Sequence, residues 1–316
     1  MTSEELDEIM GLPKGTCYEK IGVKERYWIS DETSSQMGAI ASLEALDRAK
    51  LKASEVDVIV STCGVNEQPI PTGGCLLSEK LGLQERNIPC FDVGSSCMSF
   101  LQGLDIVSYM IEYGRYNTAL ICSSEVNSVG INYNDLKSCP LFGDGASAMV
   151  VAKDEYGESG IIHSHIETYS GGAHLSEIRA GGNKLPAMRY NKDNHNDYVY
   201  ELHGRDMGDF IFKKMDGFIE RALKPLKMNF NQLIHDCSVV IPHQVSPKFM
   251  ETCKKKFMIP ESKFLNLTQN FGNMLSASIP LGFDEVINNR KIMRGEHILC
   301  FGGGSGITLG LMYLQY

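Results

Sequence analysis

Hydrophobic positions along the chain follow two periods, and their alternation predicts helices and strands in turn. Apolar residues recur at helical spacing within residues 32–49, and residues 56–62 then form a continuous apolar run typical of a buried strand. Further helices are predicted at residues 72–82 and 96–113, and further strands at 89–93, 117–124 and 146–153. This order predicts an α/β fold with largely parallel, buried strands.

Residues 164–200 interrupt this pattern because they are polar and glycine-rich, with no sustained period. We interpret them as an excursion or a cap between two halves of the chain. The alternation then resumes, with helices predicted at residues 206–226, 246–257 and 274–290, and strands at 238–243, 264–267, 297–303 and 306–314.

The second half repeats the first. Residues 55–65 match 235–245, residues 86–107 match 261–286, and residues 114–124 match 294–304, at a nearly constant offset. We therefore predict two similar halves, residues 1–165 and 166–316. A duplicated α/β unit places equivalent loops around a pseudo-twofold axis, so chemistry is expected where the carboxyl ends of the strands meet.

Composition excludes several classes of protein. With 316 residues, 43% hydrophobic and 22% charged, the chain is globular rather than disordered. A net charge of −9 argues against a nucleic-acid binder. No apolar run reaches about 18 residues, so no membrane span is expected, and the acidic N-terminus lacks the apolar core of a secretory signal. The ten cysteines contain no C-x-x-C pair, which favours reduced thiols in the cytoplasm and argues against a metal site.

Cys97 is the first candidate for chemistry. It follows a predicted strand and a short Gly-Ser-Ser turn, and it opens a long predicted helix. A thiol at a helix N-terminus has a lowered pKa, and the main-chain N–H there can stabilise an oxyanion. A buried structural cysteine is the alternative interpretation.

Three other features lie at strand ends or turns. His243 ends the predicted strand 238–243, and Asn273 enters a helix close to the position that the duplication makes equivalent to Cys97. A structural histidine and a helix N-cap are the alternatives for these two residues. The glycine-rich residues 301–306 lack the Gly-Lys-Ser/Thr of a P-loop, so a glycine N–H presented to an oxyanion is the better interpretation.

Positive charge gathers in one segment of this acidic chain. Residues 205–263 hold eleven Lys and Arg against seven Asp and Glu, a local excess of four positive charges. Several of these lysines are predicted to form a docking face for an acidic partner, with a solvated helix surface as the alternative. They are Lys213, Lys214, Lys248, Lys254, Lys255 and Lys256.

Taken together, these motifs resemble β-ketoacyl-acyl-carrier-protein synthase III, a family of thiolase-fold condensing enzymes. The resemblance covers nearly the whole chain and rests on the order and spacing of several short motifs. They are residues 22–26, Phe91-Asp92-Val93 with Cys97, Phe142-Gly143-Asp144-Gly145-Ala146, Pro242-His243-Gln244, Gly272-Asn273 with Ser276-Ala277-Ser278, and Phe301-Gly302-Gly303-Gly304.

The resemblance implies a five-layered αβαβα architecture, a homodimer and a Cys-His-Asn triad on Cys97, His243 and Asn273. It implies that Cys97 attacks an acyl thioester, with its own N–H and that of Gly304 as the oxyanion hole. His243 and Asn273 would stabilise the enolate formed when malonyl-carrier protein loses carbon dioxide. The implied partners are acyl-CoA and an acyl carrier protein, with thioesters as substrates and neither metal nor redox cofactor.

The sequence departs from the family's pattern in three places. The strand that usually opens the family would precede Met1. We expect that the start codon lies further upstream, that the first sheet is completed otherwise, or that the protein is altered in function. The adenine-stacking Trp falls near Thr16 and the neighbouring Arg becomes Lys20, which leaves room for a carrier-bound acyl donor. The aromatic residue that the dimer partner contributes to the acyl pocket falls near Ile70, so the acyl preference is expected to differ from acetyl.

Other functions remain open at this point. A papain-like cysteine hydrolase also uses Cys, His and Asn, but its short His–Asn interval and its unduplicated chain do not fit. HMG-CoA synthase has a Glu where this chain has Cys63. A non-decarboxylating acyltransferase, or an inactive partner subunit on the same fold, is the remaining alternative.

Overall fold

The structure is a computed structural model, and it describes residues 1–289 and 292–316. Within these ranges the strands are β1 (Val58–Ser61), β2 (Cys90–Asp92), β3 (Thr118–Glu125), β4 (Gly145–Ala152), β5 (Gly160–Thr168), β6 (Ser176–Glu177), β7 (Glu201–Leu202), β8 (Val239–Pro242), β9 (His297–Gly304) and β10 (Thr308–Gln315). The α-helices are α1 (Ser3–Ile9), α2 (Thr16–Ile21), α3 (Ser34–Arg48), α4 (Gly73–Lys80), α5 (Ser99–Glu112), α6 (Gly204–Leu223), α7 (Phe230–Asp236), α8 (Pro247–Lys256), α9 (Thr268–Phe271) and α10 (Ser278–Asn288).

Local sequence signals explain where the main helices begin. The Thr33 side chain accepts a hydrogen bond from the main-chain N–H of Gln36, whose side chain bonds back to Thr33, so a capping box starts α3. Ser246 caps α8, and proline stands in its first turn. Both helices lie where hydrophobic periodicity predicts them.

Some sequence predictions are wrong in detail. The strand predicted at residues 264–267 is reduced to an isolated bridge between Phe264 and Val240, because only one residue of this segment reaches β8. The helix predicted at 274–290 starts as a 3₁₀ turn at Leu275–Ala277 and continues as α10, while residue 290 lies outside the described residues. Helices α1, α2 and α7 and strand β5 are absent from the prediction.

The strands form two four-stranded sheets, ordered β2-β1-β3-β4 and β5-β10-β9-β8. In the first sheet β1 is parallel to β2 and β3, whereas β4 is antiparallel to β3. In the second sheet β8 is parallel to β9, whereas β10 is antiparallel to β9 and β5. The sheets are therefore mixed, and the expectation of largely parallel strands is wrong. A short turn, residues 305–307, joins β9 to β10, and residues 126–144 join β3 to β4 without an α-helix, so these antiparallel pairs need no helical crossover.

Alternate residues of each strand face different layers. In β1, Val58 and Val60 face the core between the two sheets, where α5 and α10 lie, whereas Ile59 faces α3 and α4. The second sheet likewise packs its outer face against α6, α7 and α8. The predicted five-layered αβαβα arrangement is confirmed.

The halves are similar but not identical at their outer edges. β5 covers one side of β10, whereas β4, the equivalent of β10, pairs only with β3 in the described part of the chain. Helices α3 and α10 lie on opposite faces of the first sheet, and their side chains Arg48 and Asp284 form an ion pair. This ion pair therefore links the outer helical layer to the central one.

The sequence predicts that the two halves divide between residues 165 and 166. Strand β5 spans both residues, and the division of the chain at this point stays a prediction. Among the described residues, every helix is too short or too polar to cross a bilayer.

Candidate active site

A cavity of about 1310 Å³ opens where the two halves of the molecule meet. Cys97, His243 and Asn273 all line it, although they come from three separate segments of the chain. The structure therefore brings together the three residues that the sequence singled out.

Cys97 lies in a 3₁₀ turn, Ser96–Met98, between β2 and α5. The preceding Ser96 has a left-handed backbone, with φ of 52°, which turns the chain sharply before the thiol. Gly304 lies directly against it, since a methyl group on Gly304 would be 3.1 Å from both Cβ and N of Cys97. The glycine therefore permits the end of β9 to approach the nucleophile.

Burial raises the pKa of the Cys97 thiol to about 11, although the Ser96 hydroxyl and the main-chain N–H groups of Ser305 and Cys97 act in the opposite direction. The expectation of a lowered pKa is wrong, because Cys97 is only 5% exposed and desolvation outweighs the helix N-terminus. At neutral pH the resting nucleophile is the thiol.

His243 immediately follows β8, and its main-chain N–H donates to the carbonyl of Phe301 at 2.9 Å. Burial lowers the pKa of its imidazole to about 4, so the ring is neutral at neutral pH. Its Nδ1 atom has no hydrogen-bond partner within the described ranges. A neutral imidazole can donate one hydrogen bond to a substrate oxygen without carrying a charge.

Asn273 is fixed by its main chain rather than by a helix cap. Its N–H donates to the carbonyl of Leu141 at 2.9 Å, and its carbonyl accepts from the N–H of Gly143 at 3.0 Å. Its side-chain Oδ1 accepts from the N–H of Leu275 at 2.9 Å. The amide oxygen is thus occupied, and Nδ2 remains to donate.

The residues predicted to bind substrate, Lys20, Lys248 and Ile70, lie at different places. Lys20 and Lys248 are exposed and line the cavity, together with Lys137 and Arg205. Ile70 is 84% exposed and lies outside the residues that line the cavity. An apolar side chain this exposed is a candidate for contact with another molecule.

The predicted docking lysines are largely paired with acids of their own surface. Lys254 contacts Glu251 and Glu261, Lys255 contacts Glu251, and Lys256 contacts Asp216. Lys214 lies over the rings of Tyr169 and Phe210, whereas Lys213 and Lys248 are exposed. Glu251 lies on the same helix as these lysines, whereas Asp216 and Glu261 lie outside it. A count of charges along the sequence does not show that these acids and lysines are paired.

Glu125, the last residue of β3, was missed in the sequence. Its fully buried carboxylate accepts hydrogen bonds from the main-chain N–H of Gly64 at 2.5 Å and of Val65 at 3.3 Å, and from the Ser276 hydroxyl. Burial raises its pKa to about 7. The available signal was an acid that ends an otherwise uncharged strand.

Two family models match the chain. The model for 3-oxoacyl-[acyl-carrier-protein] synthase III matches residues 91–170, and the model for the C-terminal part of the same enzymes matches residues 231–316. The β-ketoacyl-[acyl-carrier-protein] synthase III of Clostridium acetobutylicum is 29% identical over 316 residues, which is all of this chain and 94% of that protein. That of Clostridium perfringens strain SM101 is 31% identical and covers 99% of this chain and 94% of its own.

A solved structure agrees with these matches. The 3-oxoacyl-[acyl-carrier-protein] synthase III of Aquifex aeolicus superposes with a TM-score of 0.87 at 27% identity, covering 100% of this chain and 95% of its own. The predicted thiolase-like fold is thereby confirmed.

Proposed function

The chain belongs to the 3-oxoacyl-[acyl-carrier-protein] synthase III family of acyltransferases, and from that premise we propose that it condenses an acyl thioester with malonyl-carrier protein through an acyl-enzyme on Cys97. The observation that carries the proposal is that a thiol, a neutral imidazole and a free amide N–H, on Cys97, His243 and Asn273, face one cavity. The acyl donor is acyl-CoA or an acylated carrier protein, and the reaction uses neither metal nor redox cofactor.

In the first half-reaction the Cys97 sulfur attacks the carbonyl carbon of the donor thioester. The tetrahedral oxyanion is held by main-chain N–H groups, for which Cys97 and the adjoining Gly304 are our assignment. The donor's own sulfur leaves and takes up the thiol proton. Because the acylated cysteine is uncharged, the dry surroundings that disfavour a thiolate do not disfavour the acyl-enzyme.

In the second half-reaction malonyl-carrier protein enters and loses carbon dioxide. The electron pair that remains forms an enolate on the thioester, whose oxygen accepts hydrogen bonds from His243 and from Asn273 Nδ2. Neither donor ionises, so both keep the same role across neutral pH. The enolate carbon attacks the acyl carbonyl, the adduct collapses with the Cys97 sulfur as the leaving group, and that sulfur takes a proton from water to return to the thiol.

We propose that the carrier protein docks at the cavity mouth, where Lys20 and Lys248 would meet its acidic surface. Lys213 and Lys214 would extend this surface, and Lys254, Lys255 and Lys256 would contribute less because they already contact acids. Each exposed pair is worth only about 0–1 kcal/mol, so the effect is collective.

We further propose a cytoplasmic homodimer. The ten cysteines are all free, which fits a reducing compartment. Ile70 would reach the partner's acyl pocket, since it is exposed here and does not line its own cavity. A residue smaller than an aromatic ring at that place would admit acyl chains longer than acetyl.

The test is intact-mass spectrometry of the protein after incubation with acyl-CoAs and acyl-carrier proteins of graded length. One acyl group should be added per chain, and subsequent addition of malonyl-carrier protein should remove it and release carbon dioxide. Cys97→Ala should abolish both signals. Cys63→Ala, which removes a half-buried thiol at the end of the neighbouring β1, is the matched control and should retain both. Acylation without carbon dioxide release would instead indicate a non-decarboxylating acyltransferase.

A further inference from the structure

Cys97 has a structural counterpart in the second half of the chain, Ser276. Each lies in a 3₁₀ turn that leads directly into a central helix, α5 or α10. Each also follows a non-glycine residue with a left-handed backbone, Ser96 at φ of 52° and Leu275 at φ of 45°. Such conformations cost about 1–3 kcal/mol, so surrounding contacts must hold both turns.

The neighbours of these two residues lie at corresponding strand ends. Cys97 lies against Gly304, the last residue of β9. Ser276 donates its hydroxyl to Glu125, the last residue of β3. The second half thus places the main chain of Gly304 beside Cys97. The first half places the buried carboxylate of Glu125 against the buried hydroxyl of Ser276.

The same carboxylate reaches the nucleophile turn through a glycine. Besides Ser276 it holds the N–H groups of Gly64 and Val65, in the segment that follows β1. A methyl group on Gly64 would lie 3.1 Å from Glu125 Oε1 and 3.4 Å from the carbonyl of Ser96. Gly64 is therefore enclosed between Glu125 and the residue that precedes Cys97.

We propose that Glu125 is a positioning residue of the condensing site, whose carboxylate joins the turn after Asn273 to the Gly64 segment that supports the Cys97 turn. It sets the spacing between residues supplied by the two halves. The inference rests on the proposed function for the roles of Cys97 and Asn273, and it adds a residue that touches neither substrate.

The charge of Glu125 has a second, measurable effect. Among the described residues no cationic side chain forms an ion pair with it, and its neighbours that ionise are Cys63, Cys97, Cys122 and Tyr200. The negative charge of Glu125 contributes to raising the pKa of each of them. Removing that charge should therefore make the Cys97 thiolate easier to form.

The experiment compares Glu125→Gln with the native protein, both full length and without substrate. Alkylation of Cys97 by iodoacetamide is followed against pH by peptide mapping. We expect the midpoint to move to lower pH by half a unit or more, which is roughly a threefold faster reaction below both midpoints. Condensation by the same variant should fall on the order of tenfold or more in kcat with KM nearly unchanged, since misplaced groups cost rate rather than binding.

Two further variants separate positioning from general damage. Asp7→Asn alters another buried carboxylate that accepts main-chain N–H groups, from Gly15 and Cys17, in the N-terminal segment. It should lower stability without moving the Cys97 profile. Ser276→Ala keeps the charge of Glu125 and should lower kcat without moving the profile to lower pH, which also tests the inference if Glu125→Gln does not fold.

An unchanged Cys97 profile and a condensation rate equal to that of Asp7→Asn would overturn the inference. So would a Ser276→Ala protein with native kcat. If the profile moves as expected but even the native protein condenses nothing, the proposed function fails while the effect of Glu125 on Cys97 stands.

Discussion

Replacing Gly302 with alanine should separate the decarboxylating step from self-acylation. Gly302 lies in β9 beside the strand end that carries His243. A methyl group there would lie 2.5 Å from His243 Cβ, 3.3 Å from its main-chain N and 3.2 Å from Met98 Cε. The Met98 side chain can rotate away, but the Cβ and N of His243 cannot move without their backbone.

The distances set the size of the effect. Carbon atoms in contact sit about 3.5–4.0 Å apart, so His243 must retreat by roughly 1 Å. Overpacking of this kind costs about 1–3 kcal/mol of unfolding free energy. A displacement of about 1 Å in a catalytic group costs on the order of 10² in rate.

The assay measures carbon dioxide release from malonyl-carrier protein beside acylation of Cys97 by a small thioester. Gly302→Ala should lose about 100-fold in the first rate and far less in the second. Gly303→Ala is the matched control, because a methyl group there meets the side chains of Leu309 and Ile211 at 2.8 Å and 3.4 Å on the other face of the strand. It should reduce stability while carbon dioxide release stays nearly native.

Equal carbon dioxide release by Gly302→Ala and Gly303→Ala would refute the reasoning, since it would mean that the position of His243 does not limit decarboxylation. Equal loss in both half-reactions of Gly302→Ala would also refute it, because the damage would then reach Cys97.

Four further outcomes follow from the site. In Glu125→Gln, where residue 125 no longer titrates, carbon dioxide release should show no loss with a midpoint near pH 6.5, because burial lowers the pKa of His243 to about 4 and the ring stays neutral above it. Peptide mapping after exposure to an acyl donor should find Cys97 alone modified, and acylation elsewhere would contradict its assignment. Lys248→Glu should raise KM for malonyl-carrier protein more than Lys255→Glu, with small thioesters unaffected; equal KM values would place docking elsewhere. The folded-state pKa of Glu125, about 7, lies above its ordinary 4.5, so its stabilising contribution is complete below pH 4.5 and is lost as pH rises through 7. The melting temperature of the native protein should therefore fall relative to Glu125→Gln between about pH 5 and 8, and parallel curves would contradict this.

The nucleophile could be found in the sequence because its signal is local. A strand, a short turn and a helix place Cys97 at a strand end whatever the rest of the fold does. His243 and Asn273 needed the duplication and the family resemblance, because neither has a local pattern that distinguishes it from a structural residue. The hydrogen bond from Leu275 that orients the Asn273 amide is visible only in three dimensions.

Properties that depend on burial were beyond the sequence. The position of Cys97 before a helix suggested a lowered pKa, yet its surroundings come from both halves and raise it. The same holds for Glu125, whose partners Gly64 and Ser276 lie 61 and 151 residues away in the chain. A single acid at a strand end carries no sign that it will be buried.

Strand β5 was missed for a related reason. Its residues 163–168 are polar except for Ile166, and the strand pairs with β10 at the C-terminal end of the chain. Such an edge strand is defined by its distant partner more than by its own composition. Conversely, residues 264–267 have the composition of a strand, but only Phe264 reaches a partner.

The side of β4 that no other described strand covers bears on how this protein behaves at high concentration. β4 contains no charged residue, proline or bulge, which are the usual means of keeping an open strand from pairing with another molecule. A strand from another molecule can therefore add to the unpaired side of β4, and a single charged residue introduced into this strand should hinder such self-association.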